Sequence, residues 1–402
     1  MTDYLTNSEG QLCPQWKDLG VSRIFYPYNS QEVEQLVQEA KGNGYNIVPA
    51  GNGTRLARHF KDKCPNTVII SVAKMDKILD ISPNNLTVTV EPGLSLSQLQ
   101  ETLKKFNLWL PAKYIDDNRT LGGLVAENKD SYLKYAYRNI GDYILGIAFV
   151  NGDGELIRSG GKTVKNVSGY DFSRVLNGSR GTLGIITEIT FKLQPRPLQE
   201  CTLLFSLKEL PQAAMILDQV KNIGAPLVAC HLYSLGQDSG CDGCRYPKAV
   251  MAVSMEGSKP VIEDFFNKLH QIARVHGLDL QNMETSEYWC KYTGAYRQVS
   301  QLDQLIGSFS KKQLPLVMDK FSKLAAVQLA GMFIDLGAGS FQLFFTGVSS
   351  IKSTIDYLVQ EAEGAITPDR GEYKPHPLFS TLKKCMDKDN CFFKNNRFLY
   401  LA

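Results

Sequence analysis

Three glycine-rich stretches have the residue types and spacing to hold a ligand through the backbone. The first is Pro49-Ala50-Gly51-Asn52-Gly53-Thr54, directly after a short apolar run. Glycines there let N–H groups approach a phosphate with no Cβ in the way, although a plain surface turn has the same composition. It is not a dinucleotide fingerprint, because Leu56 takes the third glycine position and no ribose-reading acid follows at the required spacing. The second is Thr120-Leu121-Gly122-Gly123-Leu124-Val125-Ala126, whose paired glycines suit close backbone approach or tight helix packing. The third runs from Gly178 to Glu188 and includes Gly184-Ile185-Ile186. Three glycines within seven residues, then a strand, suit a backbone wrapped against a flat ligand; the alternative is an ordinary loop before a strand.

Other candidates are weaker. Gly161-Lys162-Thr163 looks like the end of a P-loop, but Leu156 occupies the required upstream glycine position. Cys241 and Cys244 could form half of a zinc site, yet no second pair stands at finger spacing. His59, His231, His270, His276 and His376 form no metal-spaced pair, so no metal site is expected. No catalytic residue emerges; Arg297, Tyr292 and His231 are candidates by polarity alone.

These loops need elements to position them. Ser30 to Gly44 reads as a helix capped by Ser30, with Val33, Leu36, Val37 and Ala40 on one face. Strands are expected at Tyr45 to Pro49, Thr67 to Val72, Leu86 to Val90 and Gly184 to Leu193, and a helix at Ser95 to Asn107. Tyr143 to Ser159 reads as a hairpin turning at Asn151-Gly152-Asp153-Gly154. Pro195-Arg196-Pro197 punctuates a domain boundary, which divides the chain into 21–197 and 198–402. Beyond it, helices at Pro211 to Gly224, Pro260 to Gly277 and Leu378 to Met386 alternate with strands at Ala249 to Met255 and Ser340 to Gly347, an α+β pattern.

Composition narrows the class. A chain of 402 residues with 43% hydrophobic and 21% charged content has the make-up of a globular protein of two domains. A formal net charge of +3, with no basic block, argues against nucleic acid. No run is apolar enough to span a bilayer, and the polar Met1 to Gly10 lacks a signal-peptide core. Nine scattered cysteines fit reduced thiols. A cytoplasmic location is expected.

The ordered set of motifs resembles the FAD-binding, PCMH-type domain of the vanillyl-alcohol oxidase and p-cresol methylhydroxylase superfamily, over roughly Val21 to Pro197. The resemblance rests on Tyr26-Pro27 with Ser30 to Val33, the Gly51 loop, Val90-Glu91-Pro92-Gly93, Thr120 to Ala126, Asp142 to Gly146 and Gly152 to Glu155. The block Gly161 to Asp171, running on through Gly181, Gly184 and Glu188 to Pro197, is similar to the E-type FAD-binding subunit of bacterial glycolate oxidase. That resemblance implies a domain of two α+β subdomains followed by a smaller α+β domain. FAD would be held by Ala50, Gly51, Asn52, Gly53, Thr54, Thr120, Leu121, Gly122, Gly123, Gly184, Ile185 and Ile186, with its phosphates at Gly51 to Thr54 and Gly122 to Gly123. Thr54 stands where covalently flavinylated relatives often have His, which implies non-covalent FAD. The implied partners are a catalytic flavoprotein subunit and an iron–sulfur subunit oxidising glycolate or D-lactate, with the inner membrane reached only through that complex. The alternatives are a self-sufficient oxidase of another hydroxy acid or alcohol, and a flavin-less structural subunit.

Two departures stand out. Glu127-Asn128-Lys129-Asp130 replaces the small residues usual beside the flavin ring. Ile334-Asp335-Leu336-Gly337-Ala338-Gly339-Ser340 has none of the histidine of an H-x-G-D-G-N motif, an absence shared with the E-type subunit.

Overall fold

A computed structural model describes residues 20–54, 65–115, 118–161, 171–236, 249–325, 329–346, 366–369 and 377–392. The Cys241 and Cys244 pair, most of the Gly161 to Asp171 block, His59, His376 and the polar N-terminus lie outside these residues. The chain forms two units, one of Met1–Ser131, Asn139–Arg196 and Gly371–Ala402, the other of Tyr132–Arg138 and Pro197–Arg370. The main division falls at the proline punctuation. The units differ from 21–197 and 198–402 in two places, at 132–138 and 371–402, and tertiary packing accounts for both. Tyr132 packs on His231 with ring centroids 5.5 Å apart. Met386, Cys391 and Phe392 join the apolar cores of the first unit.

Two larger sheets and one two-stranded sheet build the described part of the first unit. Strands β1 (Val21–Phe25), β2 (Asn46–Ala50) and β3 (Thr67–Ser71) make a parallel sheet in the order β1-β3-β2. The crossover helix Ser30–Gly42 buries Val33, Val37 and Ala40. Its cap is Asn29 and not Ser30: Asn29 Oδ1 accepts the Glu32 N–H at 2.9 Å, and Glu32 reaches back to accept the Tyr28 N–H at 2.8 Å. Such an arrangement needs Glu or Gln three residues after the cap, and Glu32 stands there for Asn29 whereas Val33 would for Ser30.

The second sheet contains β4 (Ile78–Ser82) and β5 (Thr87–Val90). After a short β6 (Leu108–Trp109) come β7 (Ile144–Val150), β8 (Leu156–Gly160) and β9 (Ile185–Lys192). Their order is β4-β5-β9-β7-β8, and β6 pairs separately with β10 (Gln194–Pro195). The β7–β8 hairpin turns where expected. All four residues of β5 are buried. Thr89 Oγ1 and Thr190 Oγ1 lie 3.0 Å apart, so the polar face is buried with its hydroxyls satisfied. The Leu96–Lys104 helix starts at a capping box of Ser95 and Gln98 and buries Leu96, Leu99 and Leu103.

The second unit is a single eight-stranded antiparallel sheet. Its strands are β11 (Gln199–Leu207), β12 (Leu227–Leu235), β13 (Ala249–Gly257), β14 (Asp279–Met283), β15 (Asp303–Phe309), β16 (Leu329–Asp335), β17 (Ser340–Phe345) and β18 (Ile366–Asp369). They run in the order β14-β11-β13-β12-β16-β17-β15-β18. Cys230 and Leu232 of β12 face an apolar core that includes Ile216, Leu269 and Val317 from three helices. Strand alternation sends His231 and Tyr233 to the opposite face. There the Thr285–Val299 helix supplies Tyr288, Trp289 and Tyr292. Each unit mixes helices and strands, and the fold is α+β.

On β13, Glu256 lies in register with Glu200 and accepts the Tyr137 hydroxyl. Burial pushes its carboxyl up to about 7, the Tyr137 hydrogen bond opposing and Glu200 assisting. The folded state therefore binds a proton that the unfolded state has already lost, from the ordinary carboxyl range up to about pH 7. Stability from this group is full at low pH and falls as pH rises through that window. Urea unfolding at pH 5 and pH 8 is expected to show a smaller fall for Glu256→Gln than for the unsubstituted protein. An equal fall in both would contradict the assignment.

Candidate functional site

Three loops of the first unit enclose a cleft of about 960 Å³, part of it open to solvent. Ala50, Gly51, Asn52, Gly53 and Thr54 form one wall, Thr120, Gly122 and Gly123 a second, and Gly184, Ile185 and Ile186 a third. The sequence-expected residues thus converge, with one exception. Leu121 turns away, fully buried among Leu96, Leu99 and Leu124. The lining also includes Pro49, Val72, Pro92, Arg119, Ala126, Glu127, Ser179, Arg180 and Gly181. Pro49, Pro92, Ala126, Glu127, Ser179, Arg180 and Gly181 fall within motif stretches the sequence singles out, while Val72, at the end of an expected strand, and Arg119 do not.

The glycines act first on one another's loops. A Cβ on Gly51 would collide with Thr120 Oγ1, and one on Gly122 would lie 2.6 Å from Pro92 Cβ. A Cβ on Gly184 would lie 2.6 Å from the Val150 carbonyl oxygen. Gly181, at φ +76, places its backbone against the Pro49 ring. Close packing between loops therefore fixes the cleft walls, the bland reading for Gly122 and a third role for Gly51.

Hydrogen bonding separates the two expected phosphate contacts. Around the Leu121–Glu127 helix the amides are spent: Gly122 N–H donates to Pro92 O at 2.8 Å and Gly123 N–H to Thr120 Oγ1 at 3.2 Å. Arg180 N–H donates to Ala126 O at 2.8 Å, which seats the third loop on that helix. By contrast, the amides of Gly51, Asn52, Gly53 and Thr54 have no partner among the described residues. Ser71 Oγ holds this loop by donating to Gly51 O at 2.8 Å, and Gly53 turns through φ +74. Consecutive unspent N–H groups around a left-handed residue make a concavity suited to an anion. Ser179 Oγ is buried beside it and also lacks a partner among the described residues. An orphaned donor costs about 1–3 kcal/mol, which a bound ligand would recover.

The charged stretch after Ala126 contributes one residue to the lining. Glu127 faces the cleft and pairs with Arg119. Asn128 ends the helix at φ +48, and Asp130 accepts from Asn139 Nδ2 at 2.9 Å. With Arg180, the charged lining carries two guanidinium groups to one carboxylate.

The three polar candidates of the second unit do not assemble. His231 is fully buried, with Nδ1 3.5 Å from the Tyr288 hydroxyl and Nε2 3.7 Å from Asp335. Tyr132, Trp289 and Tyr292 close around its ring. Burial pushes the Tyr288 and Tyr292 phenols well above their ordinary range, so they stay protonated. Arg297 is exposed, five residues after buried Tyr292 and on another side of the helix. The arrangement is a buried aromatic core, in which His231 Nε2 has no hydrogen-bond partner among the described residues, and none of the three candidates offers a base to solvent.

A family model described as an FAD binding domain matches residues 21–160. The chain is similar to glycolate oxidase subunit GlcD of Bacillus subtilis (strain 168), 29% identical over 296 residues that cover 71% of this chain and 62% of that protein. It is also similar to D-lactate dehydrogenase of Archaeoglobus fulgidus, 31% identical over 181 residues covering 45% of this chain and 40% of that protein. The chain thus spans less than two thirds of these relatives' lengths. Among solved structures, alkyldihydroxyacetonephosphate synthase superposes with a TM-score of 0.70 at 18% identity, covering 92% of this chain and 76% of that one. 6-hydroxy-D-nicotine oxidase from Arthrobacter nicotinovorans gives 0.69 at 13% identity, covering 94% of each chain. At such identities the likeness is one of fold. Among the described residues, no helix is long and apolar enough to cross a membrane.

The packing role of the glycines is testable without a ligand. Gly184→Ala forces its Cβ against a backbone carbonyl that cannot swing aside, and is expected to cost about 1–3 kcal/mol in thermal unfolding. Gly42→Ala, with nothing within 4 Å of the new Cβ, serves as the control. Equal stability of the two variants would contradict the geometry.

Proposed function

We propose, from the premise that residues 21–160 belong to the FAD-binding domain family, that this chain is the FAD-binding subunit of a 2-hydroxy-acid oxidase or dehydrogenase. FAD sits non-covalently in the three-loop cleft, and the substrate class of the complex is glycolate or D-lactate. The chain acts as an accessory or electron-relaying subunit beside a catalytic flavoprotein subunit and an iron–sulfur subunit. The observation that carries the reading is the convergence of the three glycine loops on one cleft with unspent amides at Gly51 to Thr54.

When bound, FAD supplies a two-electron acceptor for a hydride from the α-carbon of the hydroxy acid. The chain's own residues bind and orient it. The amides of Gly51 to Thr54 take the pyrophosphate, with Arg119 and Arg180 balancing its charge. Ser179 Oγ donates or accepts one hydrogen bond inside the cleft. Gly122 and Gly123, whose amides are spent, contribute shape. Among the described residues that line the cleft there is no His, Cys or Tyr, which supports a non-covalent cofactor.

The accessory role draws support from the second unit, where His231 is buried and Tyr288 and Tyr292 stay protonated, so that none of these three offers a base to solvent. A self-sufficient oxidase is the second reading, favoured by the similarity to a D-lactate dehydrogenase whose name specifies no subunit. The pairing of Glu127 with Arg119 removes the motive for a flavin-less scaffold.

An anaerobic visible spectrum of the purified chain, before and after glycolate, tests this reading. A yellow protein that glycolate does not bleach is expected. Bleaching would move oxidation into this chain and favour the self-sufficient enzyme. A colourless protein that takes up no added FAD would overturn the cofactor site.

A further inference from the structure

Lys383 is 9% exposed and its partner Asp387 1%, far from the glycine loops in sequence. The ammonium donates to Asp387 Oδ2 at 2.5 Å, Thr182 O at 2.6 Å and Phe392 O at 2.7 Å. Asp387 in turn accepts the Cys391 N–H at 2.7 Å and the Phe392 N–H at 2.9 Å. Three acceptors around the cation and three donors around the carboxylate satisfy a pair that would otherwise be costly to bury. Burial still pulls the Lys383 ammonium below its ordinary range, against the opposing pull of Asp387.

The pair touches two walls of the cleft from behind. Thr182 lies in the third loop, and its N–H and hydroxyl both return to Ser179 O, at 3.0 and 2.6 Å. Lys383 therefore fixes the short turn that carries Ser179, Arg180 and Gly181 into the cleft. On the other side, the segment closed by Asp387 runs beside β2: Ile47 N–H donates to Cys391 O at 2.8 Å, and Ile47 and Phe392 form a parallel bridge. β2 leads straight into the Gly51 loop. Gly152 completes the seat, donating its N–H to Met386 O at 2.8 Å, and a Cβ there would collide with Asp387.

We infer that Lys383 and Asp387 are positioning residues for FAD: one buried ion pair on the returning C-terminal segment sets the spacing of the first and third cleft loops. The inference rests on the reading of the cleft as the FAD site. It places determinants of cofactor affinity more than 200 residues beyond the matched domain, which ends at residue 160.

The test is the FAD dissociation constant of the full-length apo-protein, read by quenching of flavin fluorescence, beside the thermal midpoint without FAD. Lys383→Met leaves Asp387 buried and unpaired, and its Kd is expected to rise on the order of tenfold or more. Leu217→Ala, in the core of the second unit, lowers the midpoint as a control and is expected to change Kd less than about twofold. The double variant Lys383→Met, Asp387→Asn removes both charges and is expected to recover part of the affinity. A lowered midpoint with unchanged Kd in Lys383→Met overturns the inference and leaves a purely structural pair. Failure of the unsubstituted protein to bind FAD overturns the cleft reading beneath it. Should Lys383→Met not fold, Asp387→Asn takes its place, with hydrogen exchange of both loops as readout. Faster exchange at 50–54 and 179–184 is expected, and unchanged exchange overturns the inference.

Discussion

Gly51, Gly122, Gly181 and Gly184 bring backbone segments closer than side chains allow, and the cleft exists because of that approach. Thr120 is the hub. Its hydroxyl accepts the Gly123 N–H and occupies the space a Gly51 side chain would need. The Leu121–Glu127 helix is thereby locked between the Pro92 turn and the Gly178 to Arg180 loop, its first amides and its Val125 and Ala126 carbonyls engaged. One consequence is selective. With the helix amides spent on packing, the Gly51 to Thr54 loop keeps its N–H groups for a ligand.

Much of this was legible in the sequence, because glycine spacing and strand alternation are local signals. The β7–β8 hairpin and the buried stripe of Val33, Val37 and Ala40 follow from short-range patterns, whereas a joint role for the three loops was implied by the family resemblance. Less legible were features set by distant partners. Asn29 takes the cap from Ser30 because Glu32 can answer it. Leu121, though inside a glycine motif, belongs to the core because helical phase turns it inward. The eight-stranded sheet showed only two of its strands in sequence, since β12 and β16 are read as strands only once each satisfies the other's edge. Arg119 carries no motif of its own.

The second unit shows how polar residues can mislead. His231, Tyr288 and Tyr292 have the chemistry of an active site, yet they close into an aromatic core behind β12. Pairing opposite Asp335 in the sheet register gives His231 a neighbour and no route to solvent. The residues that shape the cleft are chemically plainer: glycines and a threonine cap.

The central claim is that FAD lies among the three loops with its pyrophosphate at Gly51 to Thr54. A crystal structure of the full chain grown with FAD tests it most directly. The account predicts density for the two phosphates within hydrogen-bonding distance of the Gly51 to Thr54 amides, with Ser179 Oγ engaged and the Gly122 and Gly123 amides still bonded to Pro92 and Thr120. Ordered FAD elsewhere on the chain, or phosphates seated on the Leu121–Glu127 helix instead, would contradict it.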